Sequence, residues 1–249
     1  MKRLQFLRRA PGRAWYAVLW WDFCERVATV SLHVLFGLRV HGRHRIPRTG
    51  PLIFVSNHQS FLDPAINAAA VRDRPFRPFA RETLFRGPLG TIIRSLGAIP
   101  VAGGAGDKSS MRAALAELDA GRSVLIYPEG GRTFDGALAT FQSGVSILLK
   151  RSKATVVPVG MDGAFETWPR TSSRPNLRRP IETEVGEPID SKALLELGTS
   201  AALRRLETEV DALRLRCRSR LRARFGPAYP PAGPGDLPFA GREDATDES

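Results

Sequence analysis

Lysine is scarce in this chain. Of 37 basic residues among 249, only Lys2, Lys108, Lys150, Lys153 and Lys192 are lysines, and the rest are arginines. Cysteine is scarcer still. Cys24 and Cys217 lie too far apart in the sequence to suggest a disulfide framework or a zinc site, so a reducing compartment is expected. No group of residues has metal-ligand spacing, no nucleotide-binding fingerprint occurs, and no Gly-x-Ser-x-Gly elbow offers a nucleophilic serine. These absences argue against a resident metal, a cofactor and a covalent serine intermediate. Aromatic residues make up 8% of the chain and gather near its N-terminus. That leaves no interleaved stacking face for single-stranded nucleic acid, so no nucleic-acid partner is expected. With 25 acids the formal net charge is +12, which points to anionic partners such as phospholipid surfaces or phosphorylated metabolites.

What is present reads as an ordinary globular chain, 43% hydrophobic and 25% charged, long enough for one large domain. Residues 1–40 form a segment of their own. Basic residues (Lys2, Arg3, Arg8, Arg9, Arg13) precede an apolar run from Ala14 to Leu38, which is long enough to cross a bilayer as a helix. Asp22, Glu25 and Arg26 lie near its middle, and each would cost roughly 2.5–3.5 kcal/mol at the bilayer centre. At helical spacing these three, Thr29 and His33 form one narrow polar stripe, with Trp15, Trp20, Trp21, Phe23, Val27, Leu35 and Phe36 around it. A helix docked in the interface of an anionic membrane fits this pattern, and a buried core helix is the alternative. No small-residue cleavage site follows, so a secretory leader is not expected.

Residues 41–225 alternate between two periodicities, as an α/β domain does, with a mixed central sheet flanked by helices. Leu52–Ser56, Ser123–Tyr127, Ala154–Val159 and Ile181–Val185 read as strands. Met111, Ala114, Leu115 and Leu118 repeat at helical spacing until Gly121 stops the helix. Residues 199–225 read as a second amphipathic helix, with Leu203, Leu206, Val210, Leu213, Cys217 and Leu221 on one face and eight arginines elsewhere. Residues 226–249, rich in Pro and Gly and ending in acids, read as disordered.

Two short segments carry chemistry. The first strand runs into Ser56-Asn57-His58-Gln59-Ser60-Phe61-Leu62-Asp63-Pro64, which places His58 just beyond the carboxyl end of a strand, where reactive groups of α/β sheets collect. A histidine there can act as a general base if a carboxylate orients it. Asp63 can do so only if the segment turns, and Pro64 favours a turn followed by a helix capped by Asp63. The second segment is Tyr127-Pro128-Glu129-Gly130-Gly131-Arg132-Thr133. Gly130 and Gly131 let backbone approach a ligand, Arg132 can fork onto a phosphate, and Glu129 can orient Arg132 or bind an acceptor hydroxyl. Taken alone, the first segment is better explained as a lone histidine beside a capping aspartate, and the second as a polar turn with a surface ion pair.

Together they resemble the lysophospholipid acyltransferases that include 1-acylglycerol-3-phosphate acyltransferase. That family's first block, Asn-His-x-Ser-x-x-Asp, is matched by Asn57, His58, Ser60 and Asp63. Its third block, usually Phe-Pro-Glu-Gly-Thr-Arg-Ser, is matched over 127–133 with Tyr127, Gly131 and Thr133 substituted. The second block is recognisable in Ala80-Arg-Glu-Thr-Leu-Phe85 with Gly97-Ala-Ile-Pro-Val101, and further matches are Val157-Pro158-Val159 and Gly186-Glu-Pro-Ile189. The resemblance implies acyl transfer from acyl-CoA or acyl carrier protein to the free hydroxyl of a lysophospholipid at the cytoplasmic face of a membrane, in phospholipid biosynthesis. It implies His58 and Asp63 as the catalytic pair, and no cofactor beyond the thioester co-substrate. Where the family often has an Asp-Arg pair that helps hold the acceptor phosphate, this chain has Ala102 and Gly103, so either Lys108 and Arg112 replace the charge or the acceptor is a different lysolipid, without a phosphate at that spot. A membrane-surface hydrolase or thioesterase, using water as acceptor, is the rival reading.

Overall fold

The computed structural model describes residues 9–102 and 107–239. Lys2, Arg3 and Arg8 of the basic flank, Gly103 and the acidic end after Phe239 lie outside the described residues. The first helix, α1 (Trp15–Phe36), ends at Gly37 in the left-handed region. It packs on α2 (Asp63–Val71). Val18, Trp21, Leu32 and Phe36 face inward, while Trp15, Tyr16, Leu19, Trp20, Phe23, Val27, Val30, Val34 and Leu35 face outward. The polar stripe is not simply solvated. Glu25 is buried and accepts the Thr29 hydroxyl, and Asp22 pairs with Arg9. Among the described residues no helix is long and apolar enough to cross a membrane.

The centre is a mixed eight-stranded sheet. Its strands are β1 (Arg39–His41), β2 (Leu52–Ser56), β3 (Phe76–Arg81), β4 (Ile99–Val101), β5 (Ser123–Ile126), β6 (Thr155–Asp162), β7 (Glu182–Val185) and β8 (Ile189–Asp190). The order is β1-β7-β6-β2-β5-β3-β4, with β8 alongside β6. β2 lies between β5 and β6, parallel to both, with Phe54 opposite Leu125 and Val157. β7 and β8 run antiparallel to β6. Strand β2 is buried throughout, and its alternate residues serve different cores. Ile53 and Val55 join α4 (Lys108–Asp119), α5 (Gly144–Arg151), α7 (Ser191–Glu196) and α8 (Thr199–Phe225) on one face. Leu52 and Phe54 join Trp21 of α1 and Ala68 and Val71 of α2 on the other. The remaining helices are α3 (Gly87–Ser95), which follows a short 3-10 turn at Glu82–Phe85, and the single turn α6 (Ala164–Thr167).

Two expectations change. The arginines of α8 are not all solvated: Arg214 is fully buried, and Arg218 nearly so. The reason is that residues 226–239, read from composition as disordered, are packed over them. Arg214 Nη1 donates to the Gly235 carbonyl (2.7 Å), Arg218 and Arg222 both pair with Asp236, and the Phe239 amide donates to Asp211 (2.8 Å). Composition fails here because the segment is held by polar anchors and not by an apolar periodicity.

Helix α8 lies so close to β6 that a Cβ at Gly160 would meet Leu213 Cβ at 2.4 Å and the Arg214 amide nitrogen at 2.5 Å. Backbone cannot yield as a flexible side chain can. Gly160→Ala is therefore expected to destabilise the fold by about 3 kcal/mol, at the upper end for overpacking, measured as a lowered urea midpoint.

Candidate active site

The strand–turn–helix unit from β2 to α2 builds the centre of the site. Asn57, just past β2, ties the turn to the neighbouring strand: its amide group donates to the Met161 carbonyl and accepts the Met161 N–H, both at 2.9 Å. Helix α2 then starts at Asp63 with Pro64 in its first turn. The expected turn is formed, but Asp63 does not cap the helix. Its fully buried carboxylate points back along the chain, and Oδ2 accepts from His58 Nδ1 (2.6 Å), Gln59 N (2.6 Å) and Ser60 N (2.8 Å). His58 thus uses Nδ1 for the carboxylate and keeps Nε2 as its free nitrogen, with the side chain 20% exposed. Its ring lies on Tyr127, centroids 4.0 Å apart and planes 14° apart. The Tyr127 hydroxyl accepts from Asn67 (3.2 Å), and burial, with the charge of Asp63, pushes its pKa well up.

The 127–133 loop is joined to this turn by main chain and by one carboxylate. The Thr133 amide donates to the His58 carbonyl (2.8 Å). Glu129 accepts the His58 amide on Oε1 (2.5 Å) and the Ala139 amide on Oε2 (2.9 Å). Glu129 is therefore a strut between two loops and forms no hydrogen bond or ion pair with Arg132. Gly130 turns the chain at φ 74°, and the space beside it is filled by Gln142, whose Nε2 would lie 2.2 Å from a Cβ there. Gly131 is the open glycine, with only Arg81 Nη2 within 4.0 Å of a Cβ position.

Beside the loop is a cavity of about 450 Å³ lined by Arg81, Arg132, Arg170, Glu129, Thr133 and Gln142 among others. The Arg132 guanidinium lies over the Phe61 ring at 3.4 Å, and its Nη1 is shielded from solvent without a hydrogen-bond partner. Burial lowers the pKa of Arg132, and the neighbouring cations Arg170 and Arg81 lower it further, against the opposing pull of Asp63. Arg170 donates to the Arg132 carbonyl (3.0 Å) and covers Phe134. A cluster of cations with an unused donor fits an anion that brings oxygen acceptors. Lys108 and Arg112 are exposed on α4 and do not line this cavity. Sequence reasoning missed Arg81 and Arg170. The position of Arg81 at the end of β3, inside the second block, was a usable signal. Arg170 had none, because the 163–181 excursion alone brings it back.

A family model described as Acyltransferase matches residues 37–162. This chain belongs to that acyltransferase family. It is similar to a chloroplastic 1-acyl-sn-glycerol-3-phosphate acyltransferase of Arabidopsis thaliana, 27% identical over 188 residues, covering 71% of this chain and 52% of the relative. It is also similar to the alpha form of that enzyme from Ovis aries, 30% identical over 184 residues, covering 69% and 64%. The chain thus spans about half to two thirds of these relatives. The crystal structure of the 1-acyl-sn-glycerophosphate (LPA) acyltransferase PlsC from Thermotoga maritima shares the fold, with TM-score 0.66 and 23% identity over 82% of this chain and 79% of that one. His58, Asp63, Arg81, Glu129 and Arg132 fall inside the acyltransferase match, and Arg170 falls outside it.

Burial pushes the Glu129 carboxyl up to about 8, against its two amide donors. In the unfolded chain it titrates near the ordinary glutamate value of about 4.3. The folded state therefore holds the proton more tightly, and the stability this confers is full below that value and is lost as pH rises toward about 8. Glu129→Gln cannot titrate. The stability of E129Q relative to wild type, from urea melts, is expected to improve steadily between about pH 5 and pH 8.

Proposed function

We propose that this chain transfers an acyl group from acyl-CoA or acyl carrier protein to the free hydroxyl of 1-acylglycerol-3-phosphate, giving phosphatidic acid. The observation that carries the reading is the His58–Asp63 pair, with Nε2 free, joined through Glu129 and Thr133 to the wall of an arginine-lined cavity. In the transfer, Nε2 accepts the hydroxyl proton as the oxygen attacks the thioester carbonyl, and Asp63 supports the imidazolium. As the carbonyl re-forms, the C–S bond breaks and the thiol leaves with the proton from His58. The step needs no metal and no acyl-enzyme. The Gly131 amide, uncommitted among the described residues, is available to the developing oxyanion, whereas the Gly130 amide is held by the Tyr127 carbonyl. Arg81, Arg132 and Arg170 hold the acceptor phosphate in place of Lys108 and Arg112.

The exposed tryptophans and aliphatic residues of α1 support peripheral docking on the anionic cytoplasmic face of a membrane, where the acceptor resides. Hydrolysis is the weaker reading, because a cluster of three arginines serves a phosphorylated acceptor better than it serves water.

His58→Ala is expected to lower turnover at least about 100-fold in a protein that still folds, read by product analysis with labelled acyl-CoA and a lysolipid panel. Turnover near wild type in the folded variant would exclude His58 as the base. Free fatty acid in excess of transfer product would favour hydrolysis. For the acceptor site, Arg132→Lys keeps the charge but loses the planar fork, so the KM for lysophosphatidic acid should rise, and Arg132→Ala and Arg81→Ala should raise it too. Lys108→Ala should change little. The opposite pattern, with Lys108 essential and Arg81 dispensable, would move the phosphate site to α4.

A further inference from the structure

The segment after α8 makes a chain of contacts that reaches the catalytic turn. Arg218 is 5% exposed and sits at the centre of that chain. Its Nε pairs with Asp236 of the tail (2.6 Å), its Nη2 donates to the Pro231 carbonyl, and its Nη1 pairs with Asp162 (3.0 Å). Asp162 is the fully buried last residue of β6. Its other oxygen accepts the Gln59 side-chain amide at 2.9 Å, and that amide also donates to the Gly136 carbonyl at 2.9 Å. Among the described residues the Gln59 side-chain oxygen Oε1 is buried without a partner, so Asp162 and Gly136 are there the only hydrogen-bonding anchors of this side chain. The backbone of the same Gln59 donates to Asp63 Oδ2, the oxygen that orients His58.

We propose that residues 226–239 form a strap that holds the His58–Asp63 turn in register through Asp236, Arg218, Asp162 and Gln59, with Arg218 as a positioning residue for acyl transfer. This rests on the reading of His58 as the base. The physical ground is the burial of Asp162. A fully buried carboxylate needs a counter-charge, and Arg218 supplies it. Glu166 makes the site more sensitive, because its carboxyl is pushed up to about 7 by burial and by the charge of Asp162. Without Arg218, Asp162 loses its ion-pair partner and faces a second acid whose charge Arg179 offsets only in part, which alters its grip on Gln59. Gln59 follows His58 directly, so its displacement moves the imidazole relative to a substrate held by the arginine cavity, and small misplacements of reacting groups are costly. The strap is fixed elsewhere as well. The Tyr229 hydroxyl donates to the Pro180 carbonyl (2.8 Å), and Arg222 holds the Pro230 carbonyl and Asp236. Arg222 thus anchors the strap without touching Asp162.

The test uses the full chain and four variants, Arg218→Met, Arg218→Lys, Asp236→Asn and Arg222→Ala. Kinetics are measured with acyl-CoA and lysophosphatidic acid, and melting temperatures are measured alongside. A second readout needs no substrate: the downfield proton signal of His58 Nδ1–H, assigned by its loss in His58→Ala. We expect R218M to lower kcat about tenfold or more with KM for the acceptor within about twofold, and to shift the His58 signal. R218K should recover part of kcat, and D236N should lose less, in the same direction. R222A loosens the strap but leaves Arg218 on Asp162, so it should melt lower and lose less kcat than R218M. A folded R218M with wild-type kcat and an unmoved His58 signal would overturn the proposal, as would an R222A loss in kcat equal to that of R218M. If R218M fails to fold, D236N decides by the same two readouts. If the wild-type chain transfers no acyl group, the functional reading fails on its own. The His58 signal then decides the strap alone, moved in R218M if it holds the turn and unmoved if it does not.

Discussion

One oxygen atom organises the centre of this protein. Asp63 Oδ2 accepts a ring N–H from His58 and two backbone N–H groups, from Gln59 and Ser60. A carboxylate with no exposure to solvent is tolerated only when such donors compensate it, and here they come from the three residues between Asn57 and Phe61. The compensation bends the chain at the same time. The amides that satisfy the charge belong to the turn that brings His58 back over Asp63, so the stability of the buried group and the geometry of the His58–Asp63 pair are one interaction. The rest of the sheet serves that turn: β2 enters it at the middle of the sheet, β6 grips it through Asn57, and the loop after β5 supports it through Glu129.

The abundance of arginine acquires two meanings in the folded state. Part of it is structural. Glu184 gathers Arg45, Arg216 and Arg220, Glu182 gathers His41 and Arg224, and Asp211 holds Arg214 in the interior. A guanidinium can donate in several directions in one plane, which lets a single residue such as Arg218 join a strand, a helix and a tail. A lysine offers a point charge on a flexible stem and cannot hold three partners in fixed directions. Three others, Arg81, Arg132 and Arg170, line the cavity and make no ion pair among the described residues. The positive charge is therefore partly neutralised where it builds the fold and left without ion pairs where the acceptor phosphate is proposed to sit.

The sequence was most legible where one periodicity dominates. The limits of β2 and α8 coincide with the reading of Leu52–Ser56 and 199–225, since an apolar run behind Pro51 and a long stripe ending at Phe225 leave few alternatives. The pairing of His58 with Asp63 was legible through family blocks, because the order of several short segments carries far more information than any one. Glu129 was legible as important but not as a strut, since spacing does not reveal that amides 71 and 10 residues away would claim its oxygens. Arg170 and the 226–239 strap were illegible for the same reason. Their placement depends on which distant carbonyls and carboxylates the sheet presents, and no local pattern encodes that.

The face-to-face contact of His58 with Tyr127 has a consequence for how substrates are chosen. An imidazole tethered at Nδ1 and pressed against a ring that is itself tied to Asn67 has no freedom to tilt. Its remaining lone pair points along one line, so His58, as the base proposed above, cannot be brought to whichever hydroxyl is offered. The hydroxyl must arrive on that line. On the function proposed above, regioselectivity among the hydroxyls of an amphiphile would be decided by how far its anionic end lies from the carbon to be acylated, with the arginines and the fixed ring acting as the two ends of a ruler.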